Sequence, residues 1–544
     1  MRAINSKSLL GRILTGATLA AGSFLALPAH AAAPGITGPS FAISVDSMRI
    51  TQPNGKAVYS WGYGCSAPPA GYAPAALQMG NWTCPTAQLP GPTLIVTDGD
   101  LVTVKLTNNL PGAAGATSIV FPGFAVTATG GTPGLLVQEA PNAAYCTSVL
   151  GGSGTAGTCN TVTYTFTATG PGTHSYYSGT QGDLQVEMGL YGALIVLPKA
   201  ANVPAECASG VQAQNNTARA DNGESDFRLA NSAYNHKSSC YDREYLFQFS
   251  EMDDNIHNLA EQQVLADQAK PAGSQCTQAT GCLVVATEPY TPGYYMVNGR
   301  SMPDDMDPNY APMYPYQPYN GNPHMHPGEL TLVRIIGQGR WQHPFHEHAN
   351  HVRVIARDAN LLLDPTGVQP AGPLMFTTTT TPGMTMDGIF YWTGKGLNWD
   401  VYGHGYKNDP SHCIPDANGY FTSNPSAPNY YEWCGDHDKA LEKAPFGQVA
   451  SGGPMTLPDP NILLNGPWYS GSPYLGPDAN GRSMGVTPIP PAGTIANSPA
   501  TEAGYAYMWH SHNEREITTD NVFPGGMMMM MLVDPRAYVI DESL

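Results

Sequence analysis

Two short histidine pairs are the clearest candidates for chemistry in this sequence of 544 residues. His346 and His348 lie two positions apart in the segment HPFHEHANH, and His510 and His512 have the same spacing in WHSHNERE. On a β-strand, residues two positions apart face the same side, so two neighbouring strands could direct four imidazoles towards one point. Imidazole binds copper, zinc, iron and nickel. The pattern therefore predicts a metal site, with ordinary hydrogen-bonded histidines as the alternative.

The rest of the sequence has the pattern of short β-strands that could position these side chains. Apolar and polar residues alternate in VTVKLTNN, residues 102–109, and in VTYTFTAT, residues 162–169, which is typical of half-buried strands. Further strands are predicted at 189–198, 243–250, 329–336 and 351–358. A helix is suggested only at 256–270. Because 60 Gly and 49 Pro also favour many turns, we predict an all-β sandwich protein.

The cysteines and the N-terminus indicate an exported protein. Residues 1–31 start with basic side chains, continue with a short apolar stretch and end in Ala29-His30-Ala31, as in a removed signal peptide. Ten cysteines fall in neighbouring pairs, which predicts five local disulfides in the periplasm or outside the cell. They are positions 65 and 84, 146 and 159, 207 and 240, 276 and 282, and 413 and 434. The net charge of −18 argues against a nucleic-acid partner, and no later stretch suits a membrane span.

The chain resembles the multicopper oxidase family, which is built from cupredoxin β-sandwiches. The segments that carry the resemblance are PGPTLIVTDGDLVTVKLTNNL, TSIVFPGF, PGTHSYYSGT, GLYGALIV, MVNGRSMP, HPFHEH and HSHNERE. The resemblance implies tandem cupredoxin-like Greek-key sandwiches at 32–200 and 240–544. A linker is expected at 201–239 and a loop-rich insertion at about 392–500, with three domains as the alternative.

The two N-terminal copper motifs of the family are altered in this chain. Each is His-x-His in the family, whereas the corresponding positions here hold Val120 and Pro122, and then Tyr177 and Gly179. Valine, proline and glycine offer no side-chain ligand. The resemblance therefore implies that the N-terminal half of the three-copper cluster is missing, while the four histidines of its C-terminal half remain.

The blue copper site, which accepts electrons in the family, is altered as well. Such a site needs two histidines, a cysteine thiolate and usually a weak methionine ligand. His343 matches the first histidine, but Ser511 stands at the cysteine position and Glu516 at the second histidine position. The Gly526-Met527 step lies several residues later than the family spacing. A serine cannot form the thiolate bond or carry electrons between the sites, so no laccase-type electron relay is expected.

What could remain is one metal ion held by the four retained histidines. Copper is expected by resemblance, and zinc is the alternative because neutral imidazoles suit it too. Tyr177 could approach as an oxygen ligand, and Glu347 and Glu514 could orient the imidazoles, unless they are ordinary solvated charges. His343 and Glu516 could hold a separate, non-blue ion.

The predicted function is that of an exported, multicopper-oxidase-like metalloprotein with oxidoreductase activity at this reduced site. Its substrate would be a small molecule or a metal ion. The alternatives are a non-catalytic protein that stores or delivers copper, and a sandwich that has lost its metals. The run Met527–Met531 is predicted to be a buried strand, because alternating strand residues cannot converge on one copper(I) ion.

Overall fold

The computed structural model describes most of the chain outside the N-terminus and the predicted insertion. The described residues are 33–74, 83–150, 159–221, 223–393, 416–417, 471–475, 503–534 and 539–540. The predicted signal peptide and the predicted disulfide between Cys413 and Cys434 lie outside these residues.

The first β-sandwich is built from twelve strands and follows the predicted alternation. They are β1 Gly35–Thr37, β2 Ser40–Thr51, β3 Ala57–Cys65, β4 Gly71–Ala73, β5 Leu94–Thr97, β6 Leu101–Asn108, β7 Thr127–Gly130, β8 Thr132–Pro133, β9 Gln138–Glu139, β10 Thr161–Thr167, β11 Gly172–Tyr177 and β12 Tyr191–Leu197. One sheet has the order β11-β12-β5-β1-β4 and the other β3-β2-β6-β10-β7, while β8 and β9 form a separate pair. In β6, Val102, Val104 and Leu106 are fully buried, because every second side chain faces the core.

The second β-sandwich contains the remaining described strands. They are β13 Arg243–Met252, β14 Tyr294–Val297, β15 His324–Met325, β16 Leu330–Gly337, β17 His343–Glu347, β18 Val352–Arg357, β19 Asn360–Leu361, β20 Leu374–Met375, β21 Thr377–Thr380, β22 Thr385–Tyr391, β23 Gly471–Leu475, β24 Ala503–Ser511 and β25 Met528–Val533. One sheet has the order β14-β13-β16-β22-β18-β19, with β20 beside β18. The other has the order β15-β25-β24-β17-β21, with β23 beside β24.

The second sandwich buries the methionine-rich strand that the sequence predicted. Met527, Met529 and Met531 are fully buried, and they belong to the apolar core together with Phe345 and Trp509. The flexible thioether side chains fill the space between the two sheets. The predictions of an all-β protein with tandem sandwiches and of a buried methionine strand are therefore confirmed.

Few helices accompany the sheets. The α-helices are α1 Ala143–Leu150, α2 Gly182–Gln185, α3 Gly210–Asp221 and α4 Asp254–Gln268, and short 3-10 turns lie at Gly112–Ala114, Ala200–Asn202, Ala205–Ala208, Lys237–Ser239 and Asp304–Met306. Helix α4 confirms the helix suggested by the sequence. Its N-terminus is capped by the Asp253 side chain, which accepts a hydrogen bond from the Asn255 amide. Its residues Ile256 and Ala260 pack into the core of the first sandwich.

The segment between the sandwiches is folded, although its composition suggested a linker. Helix α3 lies within residues 201–239, and its Asn215 amide donates to the Asp242 carboxylate at 2.9 Å. Arg219 of the same helix donates to the Asp242 carbonyl at 2.7 Å. These buried contacts fasten the segment to the start of β13. The exact domain limits at 200 and 240 stay a prediction.

Four disulfides join neighbouring cysteines, as predicted for the described part of the chain. They are Cys65–Cys84, Cys146–Cys159, Cys207–Cys240 and Cys276–Cys282. Among the described helices, none is long and apolar enough to cross a membrane.

Candidate metal centre

The register of two paired strands brings the four predicted histidines to one place. Strands β17 and β24 are antiparallel, with His346 directly opposite His510. His348 and His512 follow immediately after the ends of the same strands, so alternation places them on the same face. The spacing of the two His-x-His pairs therefore has the structural consequence that the sequence predicted.

The four imidazole rings lie close together. The centre of the His346 ring lies 4.8 Å from His348, 5.6 Å from His510 and 5.0 Å from His512. The Nε2 atoms of His348 and His510 are 3.2 Å apart. Two nitrogen donors about 2.0–2.1 Å from one ion, at a tetrahedral angle, would be roughly 3.3–3.4 Å apart. The His348–His510 separation therefore suits a shared metal ion, and in the absence of an ion it is a hydrogen-bonding distance between the two rings.

The complete ligand set is not yet converged in this conformation. Within the described residues, no group of three or more His, Cys, Asp or Glu side chains is already arranged to hold an ion. Rotation of an imidazole about its side-chain bonds moves its ring nitrogens. Because the four rings already lie close together, such rotations could bring their nitrogens to one ion. His512 is exposed and has room for such a turn. The assignment of His346, His348, His510 and His512 as ligands of one ion stays a prediction.

Backbone and hydroxyl groups, not carboxylates, orient two of these rings. The Nδ1 atom of His510 donates to the Ser511 carbonyl oxygen at 2.7 Å, which leaves the lone pair on its Nε2 atom. The Nδ1 atom of His346 lies 2.8 Å from the Thr377 hydroxyl, on the neighbouring strand β21. Sequence reasoning missed both partners. Thr377 is 31 residues away from His346, so no local spacing indicated this contact.

The two glutamates proposed to orient the imidazoles lie elsewhere. Glu347 is on the opposite face of β17, fully buried, and accepts a hydrogen bond from the Thr378 hydroxyl at 2.9 Å. Its place follows from strand alternation, because its neighbours His346 and His348 face the other side. Glu514 is exposed, and its charge acts on His510 from a distance.

The local environment favours the neutral, metal-binding form of two candidate ligands, His346 and His510. Burial, together with the neighbouring His510 and His512, lowers the pKa of His346 to about 4. Burial also lowers the pKa of His510. Neutral imidazoles do not have to lose a proton before they bind an ion at neutral pH.

The two altered N-terminal motifs pack against each other without offering ligands. Val120 forms an isolated bridge with Tyr177, and its amide donates to the Tyr177 carbonyl at 2.9 Å. A Cβ atom on Gly179 would come within 2.7 Å of the Val120 side chain. Tyr177 packs near Met252, and its hydroxyl lies 3.9 Å from where a Cβ atom on Gly383 would be. That position is in the turn after β21. A role of Tyr177 as an oxygen ligand stays a prediction.

A buried chain of hydrogen bonds occupies the place of the blue copper site. Ser511 points to the side away from His510 and His512, and its hydroxyl donates to Glu516 Oε2 at 2.5 Å. The same oxygen lies 2.9 Å from His343 Nδ1, and His343 Nε2 lies 3.0 Å from Glu251 Oε2. All four side chains are almost completely buried. Both nitrogens of His343 are therefore engaged by carboxylates.

The two carboxylates make His343 a buried cation. Burial alone would lower the pKa of its imidazole, but the hydrogen bonds to Glu251 and Glu516 raise it to about 9. A protonated imidazole donates from both nitrogens and cannot ligate a metal. The second metal ion expected at His343 and Glu516 stays a prediction; in this structure both ring nitrogens of His343 lie at hydrogen-bonding distance from carboxylates.

The hydrogen-bond chain continues to the first sandwich through residues that the sequence did not single out. The Tyr290 hydroxyl donates to Glu187 at 2.6 Å and lies 3.3 Å from Glu251. Burial raises the pKa of Glu187 to about 8. These partners are brought together only by the tertiary fold, so no local spacing could have revealed them.

The buried carboxyl group of Glu347 should make stability depend on pH. Burial raises its pKa from 4.5 to about 8. Between these values the folded protein keeps a proton that the unfolded chain has released, so stability falls as pH rises. Replacing Glu347 with Gln should flatten this dependence by up to about 1.4 kcal/mol per pH unit.

Denaturant unfolding at several pH values between 5 and 8 would measure this slope. Glu514→Gln is the matched control, because it removes an exposed carboxylate from the same region. An unchanged slope in Glu347→Gln would show that Glu347 is ionised in the folded protein.

Comparison with known proteins supports the family resemblance. Residues 80–201 match the family model described as multicopper oxidase. A multicopper oxidase named mgLAC is 14% identical, with 92% of this chain and 87% of that chain covered and a TM-score of 0.43. A blue copper oxidase from Nitrosomonas europaea is 15% identical, with 91% and 85% covered and a TM-score of 0.42.

A copper nitrite reductase from Nitrosomonas europaea is also similar, at 16% identity over 66% of this chain and 86% of that chain, with a TM-score of 0.36. No curated protein sequence matches this chain. The match over residues 80–201 agrees with the resemblance seen in the sequence.

Proposed function

We propose that this protein binds a single copper ion at the four histidines of its second sandwich and uses it as an oxidoreductase. The observation that carries the proposal is the 3.2 Å separation of His348 Nε2 and His510 Nε2, with the His346 and His512 rings packed around them. Bound copper would supply one-electron redox chemistry. Zinc remains the alternative ion, to be decided by metal analysis.

The residues of the chain would hold the site ready and open on one side. The Ser511 carbonyl fixes the tautomer of His510, and Thr377 holds the ring of His346. His346 and His348 are buried, whereas His512 is exposed. An exposed edge gives a small molecule or a metal ion access to the site, which favours catalysis over a closed structural role.

The activity would not use the electron relay of a laccase. In that relay a cysteine thiolate links two copper sites, whereas here the Ser511 hydroxyl donates a hydrogen bond to Glu516. The neighbouring His343 is held as a cation by two carboxylates. Electrons would therefore pass directly between the substrate and the single site.

A copper storage or delivery protein is the second candidate, because the exposed His512 would also suit transfer of an ion. For either function we propose export to the periplasm or the exterior of the cell. The four disulfides support this proposal, since such bonds persist in oxidising compartments.

One experiment separates the two candidates. Copper-loaded protein is supplied with excess ascorbate in air, and oxygen uptake is followed beyond one equivalent per copper. An oxidoreductase should sustain uptake, and the variant with both His348→Ala and His510→Ala should not. Rapid transfer of the ion to a copper chelator without sustained oxygen uptake would favour delivery and contradict catalysis.

A further inference from the structure

A cavity of about 270 Å³ lies where the two sandwiches meet, separate from the four histidines. The first sandwich contributes Pro122, Gly123 and His174 to its wall. The second contributes Asp358, from the turn between β18 and β19, and Met384, from the turn between β21 and β22. The cavity is large enough for a molecule with one ring, since a cavity of about 150 Å³ holds benzene.

The floor of the cavity is a fixed contact between the sandwiches. The Thr385 hydroxyl donates to the Thr173 carbonyl at 2.7 Å. The Thr173 hydroxyl in turn donates to Asp387 at 2.6 Å and accepts a bond from Arg334 at 3.0 Å. Because these groups are buried and paired, the cavity is already formed without a ligand.

One carboxylate oxygen at the rim is available to a ligand. Asp358 uses Oδ1 to accept a hydrogen bond from the Thr385 amide at 2.9 Å. Its Oδ2 atom has no protein partner in the described part of the chain, and the residue is exposed. The rim therefore presents a negative charge that the protein does not neutralise.

The opposite wall is uncharged. The His174 ring packs on Phe124, with ring centres 4.5 Å apart. A side chain at Gly123 would begin 3.7 Å from His174 Nδ1, so the glycine leaves space beside this ring. Burial lowers the pKa of His174 to about 4, which keeps the ring neutral near pH 7.

We propose that this cavity binds a small organic ammonium ion with an apolar body. The ammonium group would pair with Asp358, and the body would lie against Pro122, His174 and Met384. The overall charge of −18 also attracts cations and repels anions. A carboxylate ligand would face the unpaired Asp358 oxygen and is therefore disfavoured.

The test compares three probes of the same size by titration calorimetry: benzylammonium, benzyl alcohol and benzoate. The protein is used as the full chain without metal, because an amine would also bind copper. Benzylammonium should bind with one site per chain and at least about fivefold more tightly than benzyl alcohol. Benzoate should bind most weakly.

The key variant is Asp358→Asn, which keeps the Oδ1 acceptor for Thr385 and suits the backbone here, where φ is 48°. It should lose the preference for the ammonium probe. Glu206→Gln is the matched control, since it removes an equal charge from an exposed position elsewhere. Thermal unfolding would verify that both variants are folded.

Two results would overturn the proposal. One is that benzylammonium shows no saturable binding to the unaltered protein at concentrations up to about 10 mM. This result would mean a binding free energy less favourable than about −3 kcal/mol. The other is binding that is equally tight for the alcohol or is unaffected by Asp358→Asn. Neither result bears on copper binding, so this proposal and the proposed function can fail separately.

Discussion

Replacing His343 with Ala should lower the free energy of unfolding by about 3–5 kcal/mol at pH 6, because it leaves two buried carboxylates without their cation. Glu251 and Glu516 are fully buried and bond to opposite nitrogens of the ring. Without the imidazole, they must take up protons or draw in water. Denaturant unfolding at pH 6 would measure the loss.

The loss should shrink at high pH. Hydrogen bonds to the two carboxylates raise the pKa of His343 from 6.5 to about 9, against the opposing effect of burial. Because the folded protein holds the His343 proton more tightly than the unfolded chain does, this proton stabilises the folded state fully below pH 6.5. The stabilisation disappears as the pH rises through the folded-state pKa of about 9. The destabilisation by His343→Ala should therefore be smaller at pH 10 than at pH 6.

Two controls separate charge from packing. Ser511→Ala removes one hydrogen bond to Glu516 and should cost only about 1–3 kcal/mol. Changing His343, Glu251 and Glu516 together to Gln removes every charge and keeps similar volumes, so it should recover part of the loss. A cost below about 1 kcal/mol for His343→Ala would contradict a buried imidazolium.

Replacing either His348 or His510 with Ala should weaken copper binding by at least about 100-fold. Changes to groups that merely orient ligands already cost about 10–100-fold, and loss of a ligand should cost more. Thr377→Val should weaken copper binding by only about 10–100-fold, because the Thr377 hydroxyl orients the His346 ring and does not bind the ion. Competition with a copper chelator would measure each affinity.

His351→Ala is the matched control for the loss of a histidine. His351 lies in the same segment, but its ring packs on Phe376 at 5.0 Å and is outside the group of four. It should leave the affinity unchanged. Equal weakening by all three histidine variants would show that binding is unspecific and not located at the His348–His510 pair.

The strands and the clustering of the histidines could be predicted because they depend on local patterns. Alternation in VTVKLTNN marks β6, and the two His-x-His pairs need only strand geometry and one pairing to meet. The same alternation shows why Glu347 could not orient its neighbours. The folded state of residues 201–239 was missed, because its polar helix is fixed by contacts with Asp242 and not by an apolar stripe.

The fate of the blue copper site depended on distant residues. The sequence showed that Ser511 and Glu516 replace two ligands, but it could not show that Glu251 would reach His343 across 92 positions. The charge of His343 follows from this third partner. Glu251 lies on β13, which pairs with β16, and His343 lies at the start of β17, the next strand in the chain. Their meeting therefore depends on the pairing of distant strands, which is a property of the whole fold.

The most direct test of the central claim is the metal content of the protein after copper reconstitution and removal of loosely bound ions. The unaltered protein should retain one copper ion per chain. The variant in which His346, His348, His510 and His512 are all changed to Ala should retain none while remaining folded. Zinc in place of copper, no bound metal in the unaltered protein, or equal copper in both proteins would contradict a copper site at these four histidines.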